Sequence, residues 1–154
     1  MGLSLRPATE GDSDRLLEWR NDPLTRAMAI SQAPVPPADH ERWLATRLAD
    51  PATLLTIAEQ NGVPVGTVRL DRRGAEAELS ITIAPGARGR GLARPAIELA
   101  VEHARREWGV TRVTARIRPE NTASLRAFAA AGFQVTREGD EFVELARAAR
   151  AAPP

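Results

Sequence analysis

The sequence predicts a single α+β domain built on a mixed, mostly antiparallel sheet. Three observations carry that prediction. The chain has 154 residues, a length that usually makes one domain and buries a core without metals or disulfides. Its middle reads as successive antiparallel strands, because "ATLLTIAE" and "VPVGTVRL" flank Asn61-Gly62, a dipeptide suited to a tight hairpin turn. Around that meander, helical and extended segments do not follow the repeated strand–helix pattern of a doubly wound sheet.

The elements follow in order. "SLRP", residues 4–7, reads as a short first strand stopped by Pro7. "TEGD", residues 9–12, caps a helix, with Asp12 supplying negative charge in its first turn. That helix carries Leu16, Leu17 and Trp19 and fades at "NDP", residues 21–23. Residues 24–37 hold Pro34, Pro36 and Pro37 and read as an irregular or partly helical lid. A second helix runs from Asp39 to Leu48, with Trp43, Leu44 and Leu48 on one side. After the hairpin, a reversal at "DRRG", residues 71–74, leads into "AEAELSITIAP".

Residues 90–108 are helical, with a stripe of Leu92, Ala96, Leu99, Ala100, Ala104 and Trp108. Gly109 stops that helix. "VTRVTARI", residues 110–117, is a strand, and "NTASLRAFAAAG" is a helix ended by Gly132. "FQVTRE" and "EFVELA" give the last two strands. Residues 1–154 make one domain, with a frayed tail expected at 147–154.

Composition excludes several chemistries. The chain has no cysteine, so a disulfide scaffold, a thiol nucleophile and a thiolate zinc site are ruled out. Its two histidines, His40 and His103, are far apart and make no metal site; His103 reads as a surface or structural residue. The basic residues are all arginine, and 21 of them against 20 acids leave a net charge of +1. So small an excess argues against nucleic acid as a partner. No apolar stretch reaches the length of a membrane span, and no apolar run precedes a cleavage site. A soluble cytoplasmic protein is the expectation.

The stretch "SITIAPGARGRGLAR", residues 80–94, raises the functional question. "GRGLAR" has Arg94 where a dinucleotide fingerprint needs its third glycine, and its strand comes from a meander. A triphosphatase loop needs a lysine, and there is none. Another phosphate cradle fits the physics. Gly89 and Gly91 let backbone N–H groups approach a ligand, a helix start adds unpaired donors, and Arg88, Arg90 and Arg94 offer charge-assisted contacts. An unliganded glycine-rich corner with solvated arginines is the competing reading.

"RGRGLA", residues 88–93, resembles the acyl-CoA pyrophosphate signature of the GNAT family of N-acetyltransferases; Arg88, Gly91 and Ala93 match it and Gly89 is a common companion. "AELSITIAP" resembles that family's central strand, and "IRPENTASLRAFAAAGF", residues 117–133, its second cofactor-side segment. The resemblance covers residues 3–146. It implies the acyl-CoA N-acyltransferase fold: a mixed, mostly antiparallel central sheet of about six or seven strands, helices on both faces, and a splay between the central strand and residues 111–117.

It further implies acetyl-CoA as cofactor, bound through Ile81, Thr82 and Ile83, the loop Arg88, Gly89, Arg90, Gly91, Leu92, Ala93 and Arg94, and Asn121, Ser124 and Phe128. The amide of Ile81 or Thr82 would polarise the thioester carbonyl. Phe128 stands where many members place a tyrosine that protonates the leaving thiolate, and phenylalanine cannot donate a proton. Water or Ser124 then helps, or the thiolate leaves unprotonated. Glu78, Ser80 and Thr82 share one strand face, and Glu78 is the candidate base, with an exposed structural carboxylate as the alternative. His40, nearer the presumed acceptor side, is a weaker catalytic candidate.

The N-terminal half supplies the acceptor pocket in this family. "LLEWRNDPLTR", residues 16–26, offers Trp19, Arg20, Asn21 and Arg26, which with Ser80 are the candidate substrate contacts; Arg20 and Arg26 suit a phosphate. A helix cap at Asn21 followed by a stop at Pro23 is the competing structural reading. The pattern "WRND", then "R", then "HERWL" is similar to branches that acetylate nucleotide-linked amino sugars or ribosomal-protein N-termini. The first is favoured; antibiotic or polyamine acetylation is a further reading, although no strong acidic cluster marks the acceptor side for a polycation. A non-catalytic acyl-CoA sensor and a homodimer through the last strands complete the readings the resemblance allows.

Overall fold

Seven strands lie side by side in one sheet of the computed structural model, which describes residues 2–149. They are β1 (Leu3–Pro7), β2 (Thr53–Gln60), β3 (Val63–Arg73), β4 (Glu76–Ile83), β5 (Arg112–Ile117), β6 (Gln134–Glu138) and β7 (Val143–Ala148), in the order β1-β2-β3-β4-β5-β7-β6. Every neighbouring pair is antiparallel except β4–β5. The hairpin at Asn61-Gly62 forms as its sequence requires, with φ of 52° and 82° at the two positions.

The helices are α1 (Ser13–Asn21), α2 (Pro23–Met28), α3 (Pro37–Ala49), α4 (Ala93–Trp108) and α5 (Thr122–Ala130). They build two apolar layers. Leu16, Trp19 and Leu44 from α1 and α3 pack with Leu55, Ile57 and Val65. Ala96, Ile97, Ala100, Val101 and Ala104 from α4 pack with Val68, Leu70, Ala77, Leu79 and Val113, joined by Phe128 of α5. A polar knot ties β1 to α1: Asp12, 1% exposed, accepts from Arg6 at 2.8 Å and from the Thr9 amide at 2.9 Å, and also binds Arg15. Those contacts, the Arg6 hydrogen bond foremost, hold its carboxyl well below the usual range.

Four expectations need correction. β3 continues through Arg73, so the reversal sits at Gly74 and Ala75 rather than across residues 71–74. α4 starts at Ala93, because Gly89 and Gly91 take φ of 75° and 69°, which no helix accepts. Its buried stripe runs through Ile97 and Val101, while Leu99 is 39% exposed. The tail is ordered further than expected: β7 includes Arg147 and Ala148, and the buried Ala149 donates its amide to Thr111 O at 2.9 Å. The rest of the expected tail, residues 150–154, lies outside the described residues.

Candidate active site

The β4–β5 ladder holds only three pairs, Glu76↔Arg112, Ala77↔Val113 and Glu78↔Thr114. β4 runs on to Ile83 against β3, so beyond Glu78 it parts from β5. The backbone that faces this opening follows from alternation. Ala84 donates its amide to Val65 O on β3 at 2.8 Å, so Thr82 faces β3 while Ile81 and Ile83 present their N–H and C=O groups to the gap. Of the two oxyanion donors the sequence left open, Ile81 is the one with the right direction. Gly66 makes the β3 side possible: a Cβ there would lie 2.6 Å from Thr82 O.

At the end of β4 the glycine loop is pinned by two buried side chains, Ala87 and Leu92, each 3% exposed. Between them, Gly89 and Gly91 hold left-handed backbone, and a Cβ on either would meet nothing within 4 Å. The front of the loop is therefore open. α4 begins at its back without a side-chain cap and without an acidic residue in its first turn. Free backbone donors at a positive helix end, fronted by open space, fit a pyrophosphate.

Of the loop's arginines, Arg88 is placed differently from the sequence reading. Arg88 turns away from the loop front: its Nη2 lies 2.5 Å from Asp22 Oδ2 and 3.0 Å from Thr25 Oγ1. Arg90 reaches Gln60 at 3.5 Å and Arg94 reaches Glu98 at 3.3 Å, both exposed. On the other wall, Asn121 caps α5 by accepting from the Ser124 amide at 3.2 Å, and Ser124 is half-buried. Phe128 is 2% exposed and stands edge-on to Phe133 at 4.9 Å, so it belongs to the core behind that wall.

Several proposed acceptor contacts are used internally. Trp19 is 8% exposed and packs in the α1–α3 layer. Asn21 clamps the proline-rich segment, donating to Val35 O at 2.9 Å and accepting from Val35 N at 2.8 Å. Arg20 donates to Ser31 O at 2.5 Å and Arg26 to Gln32 O at 3.2 Å. Arg118, which the sequence reading missed, holds the same segment from the end of β5, donating to Ala29 O at 2.6 Å and Ile30 O at 2.9 Å. Residues 29–35 are thus strapped across from the N-terminal helices to β5. His40 is 3% exposed, with its Nε2 3.0 Å from Ser13 O and its ring stacked on Trp43. His103 lies on α4, where burial pushes its pKa down.

Glu78 is also engaged. Arg116 Nε lies 2.5 Å from its Oε2, and Arg116 Nη2 lies 3.3 Å from its Oε1, with Arg73 Nη2 at 3.4 Å. The carboxylate in turn raises the pKa of Arg116. Glu78 is 9% exposed, so it is a buried carboxylate held by arginines rather than the exposed carboxylate of the alternative reading. Among the described residues, no group of His, Cys, Asp or Glu is placed to hold a metal ion, and no helix is long and apolar enough to cross a membrane.

Residues 3–134 match a family described as an acetyltransferase (GNAT) domain. An uncharacterized protein of Methanocaldococcus jannaschii is 26% identical over 143 residues, covering 90% of this chain and 29% of that protein. The chain therefore spans less than a third of the length of this curated relative. A spermidine N-acetyltransferase from Vibrio cholerae, solved with CoA and spermine, superposes with a TM-score of 0.87 at 19% identity, over 96% of this chain and 95% of that one. The aminoglycoside acetyltransferase AAC(6')-Ib, solved with ribostamycin and coenzyme A, superposes at 0.84 with 22% identity, over 96% and 94%. A domain from Methanocaldococcus jannaschii superposes at 0.82 with 22% identity, over 95% and 97%. Likeness at these identities establishes a common fold.

Proposed function

This chain belongs to the GNAT acetyltransferase family, and from that premise we propose that it moves an acetyl group from acetyl-CoA directly to a primary amine. One observation supports this most: the β4–β5 ladder opens at Glu78, and the same β4 leads into an open glycine loop at a helix start. A pantetheine arm needs a slot with free backbone groups, and a pyrophosphate needs a cradle of N–H donors. The two lie end to end along β4.

Acetyl-CoA bound there supplies a thioester carbonyl as electrophile. Ile81 N–H donates to the carbonyl oxygen as negative charge develops on it. Glu78 takes the amine's proton, directly or through water. The Asn121–Ser124 turn forms the second wall, with the Ser124 hydroxyl toward the thiol end. Phe128 donates no proton, and the thiolate leaves as such; thiols are acidic enough for that, with a pKa of about 8.5 for cysteine.

The acceptor reading favoured by the sequence is a nucleotide-linked amino sugar, with a protein N-terminus as the alternative. Arg20 and Arg26 no longer support it as phosphate contacts, since both hold carbonyls of the segment 29–35. The spermidine and aminoglycoside enzymes of the same fold give weight to polyamines and aminoglycosides, the further acceptors the sequence leaves open. A soluble cytoplasmic enzyme, acting as a homodimer by analogy with the family, completes the reading. A sensor that binds acyl-CoA without turnover is the second reading, and Phe128 is the residue that favours it.

Thiol release from acetyl-CoA, measured across these amine classes, tests the proposal. Release above the no-acceptor rate with at least one class is expected. Cofactor binding without release for any class would favour the sensor, and absence of acetyl-CoA binding would remove both readings.

A further inference from the structure

We propose that the acceptor amine carries an anionic group, a carboxylate or a phosphate, which docks in an arginine-lined cleft beside Glu78. This rests on the transferase reading above and specifies its substrate class. The cleft encloses about 290 Å³. Alternation builds it. Val68 and Leu70 of β3 turn into the α4 layer, which sends Arg69, Asp71 and Arg73 to the opposite face. Ala77 and Leu79 do the same on β4, leaving Glu78 and Ser80 across; Ala115 and Ile117 on β5 leave Arg116. α3 contributes Arg47, and Arg72 is the fifth arginine of the lining.

Three carboxylates, Asp50, Asp71 and Glu78, stand against these five guanidiniums, so the lining keeps two positive charges in excess. Asp71 is shared by Arg47 at 3.2 Å and Arg69 at 2.9 Å, as Glu78 is shared by Arg116 and Arg73. The carboxylates fix the guanidiniums without exhausting them. Each guanidinium has five N–H donors in a planar fork suited to carboxylate and phosphate oxygens.

Position links the cleft to the chemistry. Arg69 pairs across the β3–β4 ladder with Ser80, the residue before Ile81, and Arg73 touches Glu78. An amine held at Glu78 and Ile81 therefore places the rest of the acceptor among arginines. A polyamine or aminoglycoside would bring its further positive charges against like charge there, which disfavours wrong partners.

The test uses matched acceptors that share one amine: an amino-sugar phosphate against the amino sugar, and a dipeptide against its C-terminal amide, with spermidine as the polycation. The anionic member should show about tenfold or greater kcat/KM. Arg69→Gln combined with Arg73→Gln should remove that preference by raising the anionic acceptor's KM about tenfold, leaving the KM for acetyl-CoA unchanged. Each carboxylate keeps one partner in this variant, Arg47 or Arg116.

A second measurement needs no turnover. With CoA saturating the glycine loop, inorganic phosphate should raise the melting midpoint of the native protein by about 2 °C over chloride at equal ionic strength, and should not do so in the double variant. Equal or faster turnover of the neutral or polycationic acceptors, or an absent phosphate shift, would overturn the proposal. If no amine at all releases thiol, the transferase reading fails while the phosphate shift still decides the cleft.

Discussion

Arg88 and Asp22 are bonded across 66 positions of sequence, Nη2 to Oδ2 at 2.5 Å. The contact ties the glycine loop to the corner between α1 and α2. Asp22 also caps α2 by accepting from the Thr25 amide at 3.1 Å. Arg88 first, and the Thr25 amide second, hold the Asp22 carboxyl below its usual range. The residue that the sequence assigns to a phosphate is thus held by a carboxylate on the acceptor half.

Asp22→Asn should tighten CoA binding about threefold, the effect of one modest hydrogen bond. The amide oxygen can keep the α2 cap, while the lost charge frees Arg88 and removes an anion near the loop. Titration calorimetry with CoA checks this. A weaker complex would mean that the ion pair positions the loop instead.

Gly91→Glu should abolish measurable CoA binding while the protein stays folded. Its Cβ meets no atom within 4 Å, so the structural cost is the left-handed backbone at φ 69°, about 1–2 kcal/mol. The carboxylate, however, would stand in the open front of the loop. Gly91→Ala should carry the same backbone cost and lose far less affinity. A folded Gly91→Glu protein with native affinity would remove the pyrophosphate site from this loop.

Glu78→Gln should lower kcat about a hundredfold near neutral pH, with acetyl-CoA affinity unchanged. The loss should shrink as pH rises toward the amine's own pKa, about 8 for an α-amine and about 10 for an alkylamine, because a free amine needs no base. A pH–rate profile separates this from a purely structural role. If Glu78 only holds Arg116 and Arg73, the ratio of native to variant rate stays flat with pH.

Asp12→Asn should destabilise the fold by about 3 kcal/mol at neutral pH, since it breaks a buried, multiply bonded ion pair. The sign of the pH dependence follows from the depressed folded pKa. The contribution is fully present above the unfolded carboxyl value of about 4 and is lost as pH falls through the lower folded value. Native and variant stabilities should therefore converge in acid, as denaturant melts at several pH values will show.

Much of the site was legible because it depends on local rules. Asn61-Gly62 set its hairpin, Gly109 stopped α4 at φ 63°, and Gly89 and Gly91 took the positive φ that their loop needs. Strand alternation put Glu78 and Ser80 on one face, and the same rule applied to β3 and β5 would have gathered Arg69, Arg73 and Arg116 with them. The missing step was the pairing of strands far apart in the chain. Trp19 was misread for a related reason: an aromatic near a proposed pocket and an aromatic in the core look alike until the opposing layer is known.

The sequence by itself determined the strands and most of the helices in their order, the open glycine loop and the family, since backbone propensity and side-chain period act over a few residues. Only the tertiary structure decided which amide faces the gap and where the arginines go. A guanidinium sits on a long flexible stem, and its partner is set by which carboxylate or carbonyl the packed helices bring within reach. Arg88 on Asp22, Arg20 on Ser31 and Arg116 on Glu78 are contacts between separate segments of the chain. They exist because packing brings those segments within reach of one another, and no local pattern encodes them.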